Sequence, residues 1–197
     1  HCAAKVCETG AWEDYVSTNI DWTTSLFDRA ASAGAACFVH VSSIAALGYG
    51  NRPGNAPLDE RSESLLGEGE LYGRSKLLAE AALAEHAKAS VTRLHILRPG
   101  LVYGHGRIAA SSRWLLRGVV VDSQQRVPLN HVDNFLDALV ACVRTESAKG
   151  VYLVVDEEQP TLGDLNRLKL RHGILRYRPW PLGRVLFKLF LQIKAQA

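Results

Sequence analysis

The stretch YGRSK, residues 72–76, opens an alanine- and leucine-rich run that extends to about Lys88. Such a composition predicts a helix. Four residues make about one helical turn, so Tyr72 and Lys76 share a face. On its own the pair reads as a solvated tyrosine beside a solvated lysine, and its surroundings have to decide between that and a chemical role.

The surroundings alternate. Residues 12–34 read as a helix whose apolar side is Ile20, Leu26, Phe27, Ala30 and Ala31, stopped by Gly34. ACFVHVSS (36–43) is a short buried strand, and residues 48–68, rich in Gly, Pro, Asn and Glu, form a surface loop. VTRLHILRP (91–99) and GVYLVVD (150–156) are further strands. Val132, Phe135, Leu136, Leu139, Val140 and Val143 recur at helical spacing. TLGDLNRLKL (161–170) starts with a capping-box pattern, Thr161 and Asp164. Residues 182–195 form a last amphipathic helix, and 104–128 lack a clear period.

Helices alternating with short, wholly apolar strands predict an α/β domain with a parallel sheet covered on both faces. Ligands in such sheets bind beyond the carboxyl ends of the strands. That rim carries Ser42 and Ser43 after one strand and Pro99 and Gly100 after the next. The helix beginning at Tyr72 can reach it.

The 197 residues suffice for one domain with a substantial core. A net charge of +3 is too small for a nucleic-acid binder. The charge is uneven: residues 165–197 hold eight Lys/Arg and no acid. Cys2, Cys7, Cys37 and Cys142 form no C-x-x-C pair and read as buried free thiols of a reducing, cytoplasmic setting. No apolar run reaches the ~20 residues that span a bilayer. The histidines show no metal-ligand spacing, so no metal is expected.

If Ser43, Tyr72 and Lys76 converge, their chemistry is specific. A phenol titrates near ~10, and a neighbouring ammonium favours its phenolate. The phenol then suits general acid–base work, with the serine hydroxyl holding a carbonyl or alcohol oxygen. Such a site moves a proton on an alcohol oxygen while a hydride leaves or reaches its carbon. Side chains supply no hydride, so a nicotinamide cofactor is implied.

Here the sequence resembles the extended short-chain dehydrogenase/reductases, the NAD-dependent epimerase/dehydratase family. HCAA (1–4) resembles the end of that family's fourth strand. TNIDWTTSLFDRAASAG (18–34) is similar to its N-x-x-G-T helix, with Trp22 where glycine is usual. FVHVSSIAALG (38–48) resembles the serine strand, PLDE (57–60) the acidic element and YGRSKLLAE (72–80) the Y-x-x-x-K helix. LRPGLVYG (97–104) is similar to the strand that ends at the nicotinamide, and NHVDNFLDAL (130–139) to the H-V-D-D helix start, with Asn134 for the second Asp.

The resemblance implies a partial Rossmann-type doubly wound sheet lacking its glycine-rich N-terminal half, with a small C-terminal substrate lobe. Residues 1–160 would be the NAD(P)-binding part, with lobe segments at about 104–130, and 161–197 a helical lobe or tail. The chain is accordingly expected to be the later part of a longer protein, and not to bind its cofactor tightly by itself. Catalytic roles fall on Ser43, Tyr72 and Lys76, with Lys76 also bonding the nicotinamide ribose. Cofactor contacts fall on Ala3, Ala4, Thr18, Tyr72, Lys76, Pro99 and Gly100, although Thr18 reads equally as a plain helix-start threonine. Ser42 reads as structural, Arg98 as a strand-end charge and Asp133 as a helix cap.

The cofactor is NAD or NADP. The substrate is an alcohol or ketone: a nucleotide-sugar, a sterol-like alcohol or another small hydroxy compound, the short lobe slightly favouring a smaller or more apolar one. The alternative is a non-catalytic NAD(P)-binding sensor or scaffold. A homodimer is an option, and the basic C-terminal helix is expected on protein rather than on a membrane surface.

Overall fold

The computed structural model describes residues 1–7, 9–52, 57–104, 124–146 and 149–172. The expected helix over 182–195 and most of the 104–128 segment lie outside them. The chain divides into two compact units, residues 1–100 with 132–155 and residues 101–131 with 156–197.

The first unit holds a three-stranded parallel sheet, β1 (Cys37–Val41), β2 (Arg93–Pro99) and β5 (Gly150–Val154), in the order β1-β2-β5. Val41 pairs with Leu97, and Leu97 with Tyr152. One residue more joins the free side of β1: His1 donates its amino group to Val39 O at 2.8 Å and accepts from Val41 N at 3.0 Å.

Alternation along β1 separates the two faces. Phe38 meets Phe27 edge-on at 5.3 Å, and with Leu83 they form the packed core under the helices α2 (Trp22–Ser32) and α3 (Leu71–Ala87). Cys37 points to the other face, where its thiol lies 4.0 Å from the Cys142 carbonyl of α4 (Val132–Arg144). Helices therefore cover both faces of a parallel sheet, as expected for a doubly wound fold.

The helix expected over 12–34 is composite: α1 (Trp12–Tyr15), a π-helical stretch (Val16–Asp21) and α2. Its buried side also differs from the expected one. Tyr15, Asn19, Thr23 and Phe27 are each 1% exposed or less, whereas Leu26 is 38% exposed. Two of the four are polar, so hydropathy alone misplaced the stripe. Gly34, at φ +78°, follows the helix end as expected.

The buried face of α3 is unusual too: Gly73, Ser75, Lys76, Ala79, Glu80 and Leu83. Gly73 has a steric reason. A Cβ there would stand 2.5 Å from Ala45 O, in the 3-10 turn Ile44–Leu47, and 2.7 Å from Leu66 Cδ2. Glycine lets α3 lie directly against that turn. Gly73→Ala should lower stability by about 1–2 kcal/mol in urea unfolding, the clash outweighing the better helix propensity of alanine. The loop after the turn is pinned to it, since Ser64 Oγ donates to Ala46 O at 2.7 Å and Leu65 N to Leu47 O at 3.2 Å.

The second unit contains a parallel pair, β3 (Leu101–Tyr103) and β4 (Leu129–His131), and α5 (Leu162–Arg171). The expected capping box is present: Asp164 N donates to Thr161 Oγ1 at 3.1 Å, and Thr161 N to Asp164 Oδ2 at 3.0 Å. His131 N donates to both Asp156 carboxylate oxygens at 3.0 Å. The Asp156 carboxylate also accepts from the Tyr103 hydroxyl and raises its pKa. Among the described residues no helix is long and apolar enough to cross a membrane.

Candidate active site

Ser43 leaves β1 in extended conformation and caps the 3-10 turn, its Oγ accepting from Ala45 N at 3.1 Å. Its hydroxyl hydrogen is left to donate elsewhere. That same turn is the one on which Gly73 rests, through Ala45 O, and Tyr72 is the residue before Gly73 on α3. Tyr72 is half-buried.

Lys76 is 2% exposed. Its Nζ donates to Val41 O at 2.8 Å and stands 6.0 Å from the centre of the Tyr72 ring. Burial lowers its pKa to about 8, opposed by the charge of Glu80 and by Cys2. The ammonium is thus held beside the phenol at neutral pH, close to the point where it loses its proton.

The sign of the linked stability follows. Lys76 binds its proton less tightly folded, at about 8, than at its ordinary value of 10.5. The unfolded chain holds more protons between those values, so this group's contribution to stability rises with pH across that window. Lys76→Met should stabilise the fold at pH 7 by up to about 3 kcal/mol, one pKa unit being about 1.4 kcal/mol. It should also flatten the pH dependence of urea unfolding between pH 8 and 10.

The other expected residues have the following places. Chain segment 1–5 runs from the β1 edge to Asn19, where Lys5 N donates to Asn19 Oδ1 at 2.7 Å. Ala3 on it is exposed and Ala4 half-buried. Thr18 is exposed on the π-helical stretch. Pro99 ends β2, beside the end of β1, where Ser42 N donates to Leu97 O at 2.7 Å. The Gly100 N–H is engaged by Val154 O at 2.9 Å.

Several residues were passed over by the sequence reading. Asn19, 1% exposed, donates from Nδ2 to Ser75 Oγ at 2.8 Å and to Lys5 O at 3.0 Å. Ser75 Oγ in turn donates to Tyr72 O at 2.8 Å. These bonds tie segment 1–5 and the π-helical stretch to the turn that carries Tyr72. π-turns recur at functional sites. The signal available in the sequence was a polar residue at four-residue spacing from Tyr15 and Thr23.

Arg98 is not a strand-end charge. It is 7% exposed and grips Glu80 with Nη2 at 2.6 Å and Nε at 3.1 Å, while Nη1 donates to Glu60 O at 3.2 Å. Ser42 Oγ donates to the same Glu80 carboxylate, in keeping with its structural reading.

His40 is fully buried on β1, stacked on His1 at 5.7 Å, with no partner for either ring nitrogen. Burial first, then the Lys76 charge, push it down to about 3, so it stays neutral. Among the described residues no group of His, Cys, Asp and Glu has the arrangement of a metal site. The cysteines are free, but only Cys142 is fully buried: Cys2 and Cys7 are exposed, against the expectation of buried thiols, because they lie on the N-terminal segment outside the sheet and its covering helices.

Comparison with known proteins agrees with this architecture. The chain is 29% identical over 188 residues to a UDP-glucose 4-epimerase of Vibrio cholerae, an alignment covering 85% of this chain and 54% of that enzyme. The chain thus spans about half the length of that relative. Among solved structures it resembles the UDP-glucuronic acid 4-epimerase of Bacillus cereus in complex with NAD (TM-score 0.73, 20% identity, 91% of this chain and 60% of that one). It also resembles the enzyme WbmG of Bordetella bronchiseptica in complex with NAD and UDP (TM-score 0.72, 20% identity, 91% and 57%). At such identities these two likenesses concern the fold. The model of the NAD dependent epimerase/dehydratase family matches residues 1–154, and the chain belongs to that family.

Proposed function

We propose that the protein carrying this chain is an NAD-dependent epimerase acting on a secondary alcohol carbon of a sugar nucleotide, with Tyr72 as its acid–base residue. The observation that carries the reading is the buried Lys76 ammonium, hydrogen-bonded to Val41 O and 6.0 Å from the Tyr72 ring centre. An ammonium in that position stabilises phenolate relative to phenol.

The residues present fit the nicotinamide-ribose end of NAD. Lys76 uses one N–H on Val41 O and, among the described residues, retains two without an acceptor, a donor set suited to a ribose diol. Ala3 and Ala4 add little bulk beside it. When bound, NAD supplies the hydride acceptor that later returns the hydride. Tyr72 takes the proton from the alcohol oxygen and gives it back. Ser43 donates to that oxygen and holds it as its carbon changes hybridisation. Lys76 holds the charge that balances the phenolate.

The choice of a sugar nucleotide over a smaller or apolar alcohol is supported by the relatives, whose names specify UDP-glucose and UDP-glucuronic acid. NAD is favoured over NADP on the same ground. The test is direct. The full gene product is incubated with UDP-glucose or UDP-glucuronic acid and NAD, and inversion at C4 is followed by proton NMR. Interconversion with the galacto-configured sugar is expected. No change in either substrate overturns the reading.

A further inference from the structure

The Glu80 carboxylate joins three elements at once. It lies one helical turn beyond Lys76 on the buried face of α3 and is 5% exposed. Ser42, between Val41 and Ser43 at the end of β1, donates to it. Arg98, one residue before Pro99 at the end of β2, grips it with two nitrogens. The chain continues outward from Arg98: Nη1 reaches Glu60 O at 3.2 Å, and Glu60 Oε1 accepts from Leu153 N, on β5, at 2.9 Å. One carboxylate therefore fixes the C-terminal ends of two strands to the helix of the candidate acid–base pair.

We propose that Glu80 is a positioning residue for that pair: through Ser42 it fixes the end of β1, so that Val41 O receives Lys76 and Ser43 is presented beside Tyr72. The proposal rests on the acid–base reading given above for Tyr72 and Lys76.

The physical case is geometric. Val41 O and Ser43 flank Ser42 in sequence. The end of β1 keeps a ladder bond at this residue, Ser42 N to Leu97 O at 2.7 Å, which ties it to β2 but not to α3. Ser42 holds it, buried at 3% exposure, against a carboxylate that is itself fixed by Arg98. Lys76 then docks on the carbonyl just before the anchor, and the hydroxyl just after it points to the rim. A packing role alone needs no charge at position 80. A fixed carboxylate has a second effect, because it favours the charged form of Lys76. The charged and titratable groups facing Lys76 are Glu80 and Tyr72 on its own helix, His40 on β1 and Cys2 on the N-terminal segment. Of these, the Glu80 charge is the first to oppose the lowering of the Lys76 pKa by burial. Arg98 approaches from β2 but is engaged by Glu80.

The experiment uses the full gene product, lysine labelled with 13C at Cε, and two readouts: the NMR titration of Lys76, and kcat and KM for C4 inversion across pH. Lys76→Met identifies the resonance. In Glu80→Gln the Lys76 titration is expected to move down by roughly one unit or more. The alkaline fall of kcat should move with it, kcat should drop at least tenfold, and KM should stay within about twofold. Glu80→Asp, which keeps the charge, should restore the titration. An unchanged Lys76 titration in Glu80→Gln overturns the proposal.

Should Glu80→Gln not fold, Ser42→Ala decides, since it cuts only the tie to β1. A fall in kcat with KM unchanged supports the proposal, and an unchanged kcat overturns it. A wild-type protein without C4 inversion would strike the functional reading instead. The Glu80→Gln titration would then still decide the link between Glu80 and Lys76.

Discussion

Tyr72→Phe is expected to reduce C4 inversion by roughly 10²–10⁴, the size of a lost general acid–base. Phenylalanine keeps the ring that the Lys76 ammonium faces at 6.0 Å. It keeps the helix and the Ser75–Tyr72 backbone bond, which uses a main-chain carbonyl. Only the hydroxyl goes. Affinity for NAD should therefore change little, and the loss should fall on kcat. Steady-state kinetics with calorimetric NAD titration on the full gene product separates the two. A variant of near-normal turnover would remove Tyr72 from the chemistry, whatever becomes of the substrate assignment.

The largest effect on stability should come from Arg98→Met. The Arg98–Glu80 pair is almost wholly out of water, with the two side chains 9% and 6% exposed. Pairs of this kind contribute little net stability when both partners are present, because each pays a desolvation penalty. Removing one partner is different. Glu80 would be left as a buried carboxylate with only the Ser42 hydroxyl, and such losses amount to about 3–5 kcal/mol. Urea unfolding at pH 7 checks this. Replacing both partners by apolar residues, as in Glu80→Leu with Arg98→Met, should recover most of the loss, since no buried charge is then stranded. A single variant as stable as wild type would mean that water reaches Glu80.

The contrast between these two residue sets shows what the sequence could reveal. Tyr72 and Lys76 are one helical turn apart, so their relation is local and legible. The same holds for the Thr161–Asp164 capping box, and for strands read from unbroken apolar runs. The parallel pairing of β1 with β2 followed from the alternation with helices. Ser42 and Ser43 were placed on the rim because they end such a run, and Ser43 was singled out by the family resemblance.

Glu80 and Arg98 are 18 residues apart, and Ser42 is 38 from Glu80. Their meeting depends on how the strands pair and on how closely α3 approaches, which no local pattern encodes. A charged residue at the end of an apolar strand looks the same whether it faces water or a buried partner. Asn19 was missed for a related reason: hydropathy counts a buried asparagine as exposed, although its amide here is bonded on both ends. Gly73 did carry a signal. Glycine inside an otherwise strong helix is costly, and that cost points to a close contact. The reading did not use it.

The π-helical stretch has a consequence for how such chains change by insertion and deletion. In a straight α-helix a residue placed every four positions drifts by about 40° at each step. Over Tyr15, Asn19, Thr23 and Phe27 that drift would carry one end of the row off the protein. The wider turn at Val16–Asp21 takes up part of it, and all four residues stay buried. Deleting one residue there would leave a perfectly good α-helix, with every backbone bond made. Tyr15 and Phe27 would keep nearly their present relation, within about 20°, because eleven α-helical steps turn through about the same angle as the twelve steps that include the wide turn. The wide turn is thus the device by which one additional residue between positions 15 and 27 is carried without turning either flank, so this corner of the fold tolerates a change of one in their number.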